Sequence, residues 1–258
     1  MAVVDVAGLP TYYEVSGTGD AVVLLHGGLS AADAWAAQAP ALVAAGFRVW
    51  IPERRGHGHT PDTDAPFSYE AMAEETIGFL EALVGRAHLV GWSDGAMVAV
   101  LVAQRRPDLV DRLVHIGQYL DRSGEVPGGL GEHLVRLRDA PPDVLRGSYD
   151  VVSPDGPEHF PVVFAKTVDM IVSARGIPLA ELNGISAPVL VVQGDRDLVR
   201  LEHSAAVAAA FPHGRLAVLP GTHALPLESP QLLNPLLIDF LRGGPQEIDL
   251  VTLLGAAS

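Results

Sequence analysis

The chain has no cysteine among its 258 residues. That excludes disulfides, thiolate nucleophiles and thiolate metal sites, and it leaves the redox compartment undefined. The sequence also lacks any run of about 18 uncharged apolar residues, so no segment is expected to span a membrane. Its opening residues, Met1 to Pro10, hold neither a basic region nor an apolar stretch of signal-peptide length, which makes the cytoplasm the expected location. Positive charge is scarce: 17 Lys and Arg stand against 31 Asp and Glu, a formal net charge of −14. So acidic a balance argues against nucleic acid and anionic membrane as partners, because counterion release needs clustered Lys and Arg. A small molecule is the expected partner, bound by a monomer or a homodimer.

Apolar residues make up 48% of the chain and charged residues 19%, a balance that suits a globular protein with a sizeable core. Short apolar runs at 22–25, 47–51, 87–90, 113–116, 189–192 and 216–219 are β-branched or leucine-rich and bounded by Gly, Pro or Asp. They read as buried strands. Helical patterns lie between them at 34–45, 69–84, 94–106, 202–210 and 230–241, the second with Ser68 as its N-cap. Strand and helix in alternation predict βαβ units and a mostly parallel sheet covered on both faces. Segments 2–6 and 11–15 read as an antiparallel hairpin at one sheet edge.

The alternation breaks once, between 119 and 184. There Gly128-Gly-Leu-Gly131, Pro141-Pro142 and Ser153-Pro-Asp-Gly-Pro157 punctuate helical pieces at 132–138 and 164–174. A structureless loop of that length is rare in a compact domain, so a small helical insertion is expected. Val162, Val163, Phe164, Met170 and Ile171 either line a pocket or form the insertion's own core. From Gly243 the tail carries an apolar stretch, Ile248 to Leu254, that reads as packing against the body or a second subunit, or as a loose end.

Gly91-Trp-Ser-Asp-Gly95 matches G-x-S-x-G, and its context gives it weight. It follows an apolar run and opens a small-residue helix, the strand–turn–helix in which a serine hydroxyl stands exposed on a strained turn. A nucleophilic serine needs a base, and the base needs an orienting carboxylate. Gly194-Asp-Arg-Asp197 and Gly221-Thr-His223 follow two successive later strands, in the order serine, acid, histidine. All three segments therefore fall past the carboxyl ends of strands, where ligand sites of open α/β sheets collect. For the acid, Asp195, Asp197 and Asp121 are all candidates.

These motifs resemble the α/β-hydrolase fold superfamily. His26-Gly-Gly28 is similar to its oxyanion loop, and Glu53-Arg-Arg-Gly-His-Gly58 to its arginine–glycine loop. The resemblance covers about 1–118 and 185–242. It implies an α/β-hydrolase fold: a mostly parallel eight-stranded sheet, helices on both faces, a core of 1–118 and 185–258, and a helical lid at 119–184. It implies Ser93 as nucleophile, His223 as general base and then acid, and Asp197 as the residue that orients His223. It places the oxyanion donors at the backbone N–H groups of Gly28 and Asp94. Trp92, Asp94, Leu29, Val163 and Phe164 are the candidate pocket residues. The Asp94 carboxylate departs from the neutral residue common at that position. It either reads a cationic substrate group or N-caps the following helix.

The expected activity is hydrolysis of a small carboxylic ester or lactone through an acyl-enzyme, without cofactor or metal. Cleavage of C–C bonds, of amino-acid esters or of amides, and perhydrolysis, would use the same triad. The rival class is a non-hydrolytic receptor or cyclase of the same fold. His57 and His59 flank Gly58 at a metal-like spacing but read as structural loop residues. His26 reads as a brace for its own loop, and His133, His159, His203 and His213 as surface residues. Gly17-Thr-Gly19 is a turn, since the Lys and helix of a phosphate loop are missing.

Overall fold

The computed structural model describes residues 2–244. The apolar stretch Ile248 to Leu254 lies outside them. Eight strands form one sheet: β1 (Ala2–Val6), β2 (Leu9–Gly17), β3 (Ala21–Leu25), β4 (Arg48–Pro52), β5 (Ala87–Trp92), β6 (Val110–Ile116), β7 (Val189–Gly194) and β8 (Gly214–Leu219). Their spatial order is β1-β2-β4-β3-β5-β6-β7-β8. The pairs β1–β2 and β2–β4 are antiparallel, and every other neighbouring pair is parallel. The expected edge hairpin is therefore present, and β2 extends it to join the parallel body.

Alternation along the central strands feeds two cores. On β3, Val22 and Leu24 face one side, while Val23 and Leu25 face the other. On β5, Leu89 and Val90 divide in the same way, as the two-residue period of a strand requires. One face is covered by α2 (Tyr69–Phe79), α3 (Asp94–Arg105) and α7 (Leu201–Ala210). The other face is covered by α1 (Gln38–Ala44) and α9 (Pro230–Leu241), which pack on each other, with short α8 (Leu225–Glu228) beside them. Between β6 and β7 lie α4 (Leu130–Leu137), α5 (Tyr149–Val152) and α6 (Phe160–Ser173).

Two helix boundaries differ from expectation for reasons of backbone chemistry. The pattern at 34–45 splits into a 3₁₀ turn, Ala32–Trp35, and α1. Pro40 has no N–H to donate one turn back, so it fits only in a first turn and stops the helix from running through it. The pattern at 69–84 ends as a π-turn, Leu80–Val84, where the Gly85 N–H donates to the Leu80 carbonyl at 2.7 Å. Gly85 then takes φ +76 and ends the element. Ser68 caps α2 as expected, accepting from the Ala71 N–H at 3.1 Å.

The β6–β7 segment is tied to the body at its roots and along its flank. The Ile177 N–H donates to the Leu120 carbonyl at 2.6 Å, and the Val126 N–H to the Leu198 carbonyl at 3.0 Å. Buried Asp62, in the loop after β4, receives Lys166 at 2.7 Å and His159 at 2.8 Å. His203 is not a surface residue. It is buried on the inner face of α7, and its Nε2 accepts the Leu120 N–H at 3.1 Å. Among the described residues, no helix is long and apolar enough to cross a membrane.

Candidate active site

The turn from β5 into α3 places Ser93 at φ +54 and ψ −124, a region that costs a non-glycine residue about 1–3 kcal/mol. The turn is held from both sides. The Ser93 N–H donates to the Ile116 carbonyl at 2.9 Å, and two glycines admit the close approach. A Cβ on Gly95 would run into the Leu25 and His26 carbonyls, and one on Gly91 into the Gly95 backbone. Both glycines of the motif are thus demanded by packing.

His223, in the loop between β8 and α8, brings its Nε2 to 3.0 Å from Ser93 Oγ. Its Nδ1 lies 2.9 Å from Asp197 Oδ1. With Nδ1–H donating to the carboxylate, Nε2 is left to accept the serine proton, which is the tautomer a general base requires. Asp197 is nearly fully buried, and its Oδ1 also accepts the Leu198 N–H at 2.6 Å. The other two carboxylates serve elsewhere. Asp195 accepts the Gly221 N–H at 2.9 Å and braces the histidine loop. Asp121 accepts the Ser123 N–H at 2.9 Å, and its nearest imidazole is His203, 4.0 Å away.

The loop after β3 brings Gly28 against the Asp94 carboxylate, so closely that a Cβ on Gly28 would strike Asp94 Oδ2. Among the described residues neither the Gly28 nor the Asp94 N–H meets a protein acceptor. Arg54 shapes this loop. Its Nη2 donates to the Gly27 carbonyl at 2.9 Å, and its backbone N–H donates to His26 Nε2 at 3.2 Å. His26 therefore carries its proton on Nδ1, which lies 2.8 Å from the Gly27 carbonyl, and it braces its own loop as expected. Leu29 follows at φ +57, a conformation few side-chain-bearing residues adopt.

Asp94 does not cap α3. The N-cap is Ser93, and the Asp94 carboxylate turns inward. Oδ1 accepts the Tyr69 hydroxyl at 2.6 Å, and Oδ2 is buried without a hydrogen-bond partner. Burial pushes its pKa above the usual carboxylate range, against the pull of the Arg54 cation and the Tyr69 hydroxyl.

A cavity of about 260 Å³ opens onto Ser93 and His223. Trp92, Asp94 and Leu29 line it, together with Thr167 and Ile171 of α6 and Leu130 and Leu134 of α4. Trp92 also donates its indole N–H to the His223 carbonyl at 2.8 Å. Val163 lines a neighbouring cavity instead, and Phe164 lines neither, since it is wholly buried in the core. Helical phase explains the difference. Phe160, Val163, Thr167 and Ile171 recur at three or four residues and form the stripe facing the cavities, and Phe164 lies about 100° round from Val163. His57 is buried with Nδ1 2.9 Å from the Arg55 carbonyl. His59 stacks on Tyr12 at 4.1 Å and lies 3.1 Å from Glu53. Both are loop residues with structural partners.

Comparison with known proteins agrees with the fold. Residues 20–151 match the family model described as alpha/beta hydrolase fold. The serine hydrolase BPHL of Homo sapiens is 29% identical over 257 residues, covering 93% of this chain and 86% of its own. The 2-hydroxy-6-oxo-6-phenylhexa-2,4-dienoate hydrolase of Burkholderia cepacia is 28% identical, over 89% of this chain and 90% of its own. Among solved structures, the enol-lactonase of Burkholderia xenovorans LB400 superposes with a TM-score of 0.75 at 24% identity, over 93% of this chain and all of that one. The strand order, the serine turn and the family match together make this chain a member of the α/β-hydrolase fold family.

Proposed function

We propose that the protein is a serine hydrolase that cleaves a small carboxylic ester or lactone through an acyl-enzyme on Ser93. The observation that carries this is His223 standing between Ser93 Oγ and the Asp197 carboxylate at 3.0 and 2.9 Å. In this reading Ser93 Oγ attacks the carbonyl carbon while His223 Nε2 takes its proton. The Gly28 and Asp94 N–H groups receive the developing oxyanion, worth roughly 3–4 kcal/mol per donor in comparable sites. His223 returns the proton to the leaving oxygen, and water repeats the sequence to free the acid. The segment 119–184 acts as a cap that supplies the cavity's apolar wall.

The acyl side has a finer preference. Asp94 lines the Ser93 cavity, and its Oδ2 is buried without a hydrogen-bond partner. A substrate ammonium would give it the partner it lacks, so esters bearing an amino group near the carbonyl are preferred. Burial raises the Asp94 pKa, so this preference fades as pH falls and the carboxylate protonates.

Initial rates on short acyl esters, amino-acid esters, lactones and a vinylogous diketone, with wild type and Ser93→Ala, test the class. Loss of the serine should cost several orders of magnitude. Turnover of the diketone alone would move the reading to C–C bond hydrolysis. No turnover by folded protein would favour a binding or cyclase role. For the acyl preference, Asp94→Asn should lower the amino-ester to neutral-ester ratio of kcat/KM at least about tenfold, the scale of one charge-assisted hydrogen bond. An unchanged ratio would remove Asp94 from recognition.

A further inference from the structure

Thr167 and Ile171 of α6 and Leu130 and Leu134 of α4 turn toward the Ser93 cavity, so packing on that side cannot fix where these helices stand. Behind α6, Phe164 and Val168 are buried in the core. Apolar contact is non-directional, however, and leaves a helix free to roll or slide. The position of the wall therefore depends on directional contacts along its flanks. Two ion pairs supply them. Arg138, just past α4, holds both carboxylate oxygens of Asp169 on α6, at 2.7 and 2.6 Å, and joins the two helices into one unit. That pair is exposed to solvent.

The second pair is buried and ties this unit to the core. The Asp62 side chain is 4% exposed; its Oδ2 accepts Lys166 Nζ at 2.7 Å and lies 2.8 Å from His159 Nε2. Its Oδ1 accepts the Thr63 N–H at 2.7 Å, so both oxygens are satisfied. In return, the Asp62 N–H donates to Asp155 of the cap at 2.7 Å. Burial alone would raise the Asp62 pKa, but hydrogen bonds from Lys166 and His159 outweigh it and hold the carboxyl below its usual range. Lys166 is the only lysine in the chain. Besides Asp62 it donates to the Thr63 carbonyl, and its Nζ stands 5.4 Å over the Phe67 ring. Three acceptors in three directions suit a compact ammonium better than a planar guanidinium. Lys166 directly precedes Thr167, about 100° round the helix, so fixing the one fixes the direction of the other.

We propose that Asp62 is a positioning residue: through Lys166 and His159 it fixes the roll of α6, and with it the place of Thr167 and Ile171 against a bound substrate. The assignment rests on the acyl-enzyme reading. Asp62 touches no reacting atom, and Ser93, His223 and Asp197 keep their geometry without it. Substrates long enough to reach α6 depend on the pair, and substrates too short to reach it do not.

The test compares ethyl acetate with ethyl hexanoate and hexyl acetate. The two longer esters extend the chain on either side of the carbonyl, so the result does not depend on which side lies along α6. Wild type should favour at least one of them over ethyl acetate by about tenfold or more in kcat/KM, roughly what two buried methylenes contribute. Asp62→Asn and Lys166→Met should each lower that ratio at least about fivefold, while ethyl acetate turnover stays within about twofold. The double variant should fall no further than the lower single, because either change alone breaks the pair. These variants should melt below wild type, so rates are taken well below the lowest melting temperature. His159→Ala, at a partly exposed position, removes one donor and gives a milder variant whose ratio should fall less. Ratios unmoved in every folded variant, single losses that add in the double, or ethyl acetate lost equally with the longer esters would overturn the role. So would a wild type that turns over all three esters equally. Fluorophosphonate labelling of Ser93 separates the two claims. A labelled enzyme with unmoved ratios sinks the role of Asp62 alone, and an unlabelled folded wild type sinks the hydrolase reading and that role with it.

Discussion

His115 sits on β6 between Gly91 of β5 and Val191 of β7, fully buried, with both ring nitrogens lacking a partner. Burial is the main cause that lowers its pKa from 6.5 to about 4; the ring's interaction with its own backbone carbonyl opposes, His203 lowers it further and Asp197 opposes in turn. In the unfolded chain the same ring protonates near 6.5. Between about pH 6.5 and 4 the unfolded state therefore holds one more proton at this position than the native state. Stability then rises with pH across that window, and it is lost as pH falls below 6.5. At about 1.4 kcal/mol per unit, the full window is worth about 3 kcal/mol. His115→Leu removes this contribution at similar volume. Urea unfolding from about pH 7.5 down to pH 5 should show the variant gaining roughly 2 kcal/mol on wild type as the medium acidifies. His26, His57, His88 and His203 are also held below the usual range by burial, so wild type and variant share a residual acid slope. A stability difference between the two proteins that stays constant with pH would refute the claim that His115 is held neutral.

Tyr69→Phe leaves both Asp94 oxygens without a partner. Thermal unfolding should report a cost of about 1–3 kcal/mol, and the acid limb of the amino-ester kcat/KM profile should move to higher pH, because the lost hydroxyl favoured the carboxylate. Trp92→Phe removes the donor to the His223 carbonyl, so kcat should fall more than KM changes, with stability down by about 1 kcal/mol. Arg54→Met removes a buried cation that holds the Gly27 carbonyl and offsets the Asp94 charge, so stability should fall by about 3 kcal/mol and kcat of the still-folded protein about tenfold; a lower melting temperature with kcat unchanged would make Arg54 a purely structural residue. Gly95→Ala forces a Cβ into two carbonyls of the β3 end, and a loss of about 1–3 kcal/mol or more should appear as a lower Tm.

What was legible in the sequence is what local chemistry dictates. Strand runs such as 22–25 and 189–192 are buried on both faces, and their composition says so. The serine turn announces itself through glycines whose absence would be a steric collision. The family resemblance points to Asp197, whereas local spacing alone leaves Asp195 open, because both lie in one loop and only their directions differ. Tyr69 and Arg54 gave no signal of their role at Asp94, since their contacts join residues 25 and 40 positions apart. The helical pattern at 164–174 does not disclose the face Phe164 takes, because α6 begins four residues earlier. Pro161, which suits a first turn, was the available marker. His203 reads as a surface residue because a polar residue in a helix pattern does not disclose that a loop N–H from residue 120 needs its imidazole.

The central claim is that Ser93 is an activated nucleophile. Its most direct test is intact-mass and peptide analysis after brief exposure to a fluorophosphonate, for wild type, Ser93→Ala and His223→Ala. The account predicts one adduct per wild-type chain, located on Ser93, absent in Ser93→Ala and slowed by orders of magnitude in His223→Ala. Folded wild type that takes no adduct, or an adduct that persists in Ser93→Ala, would contradict it.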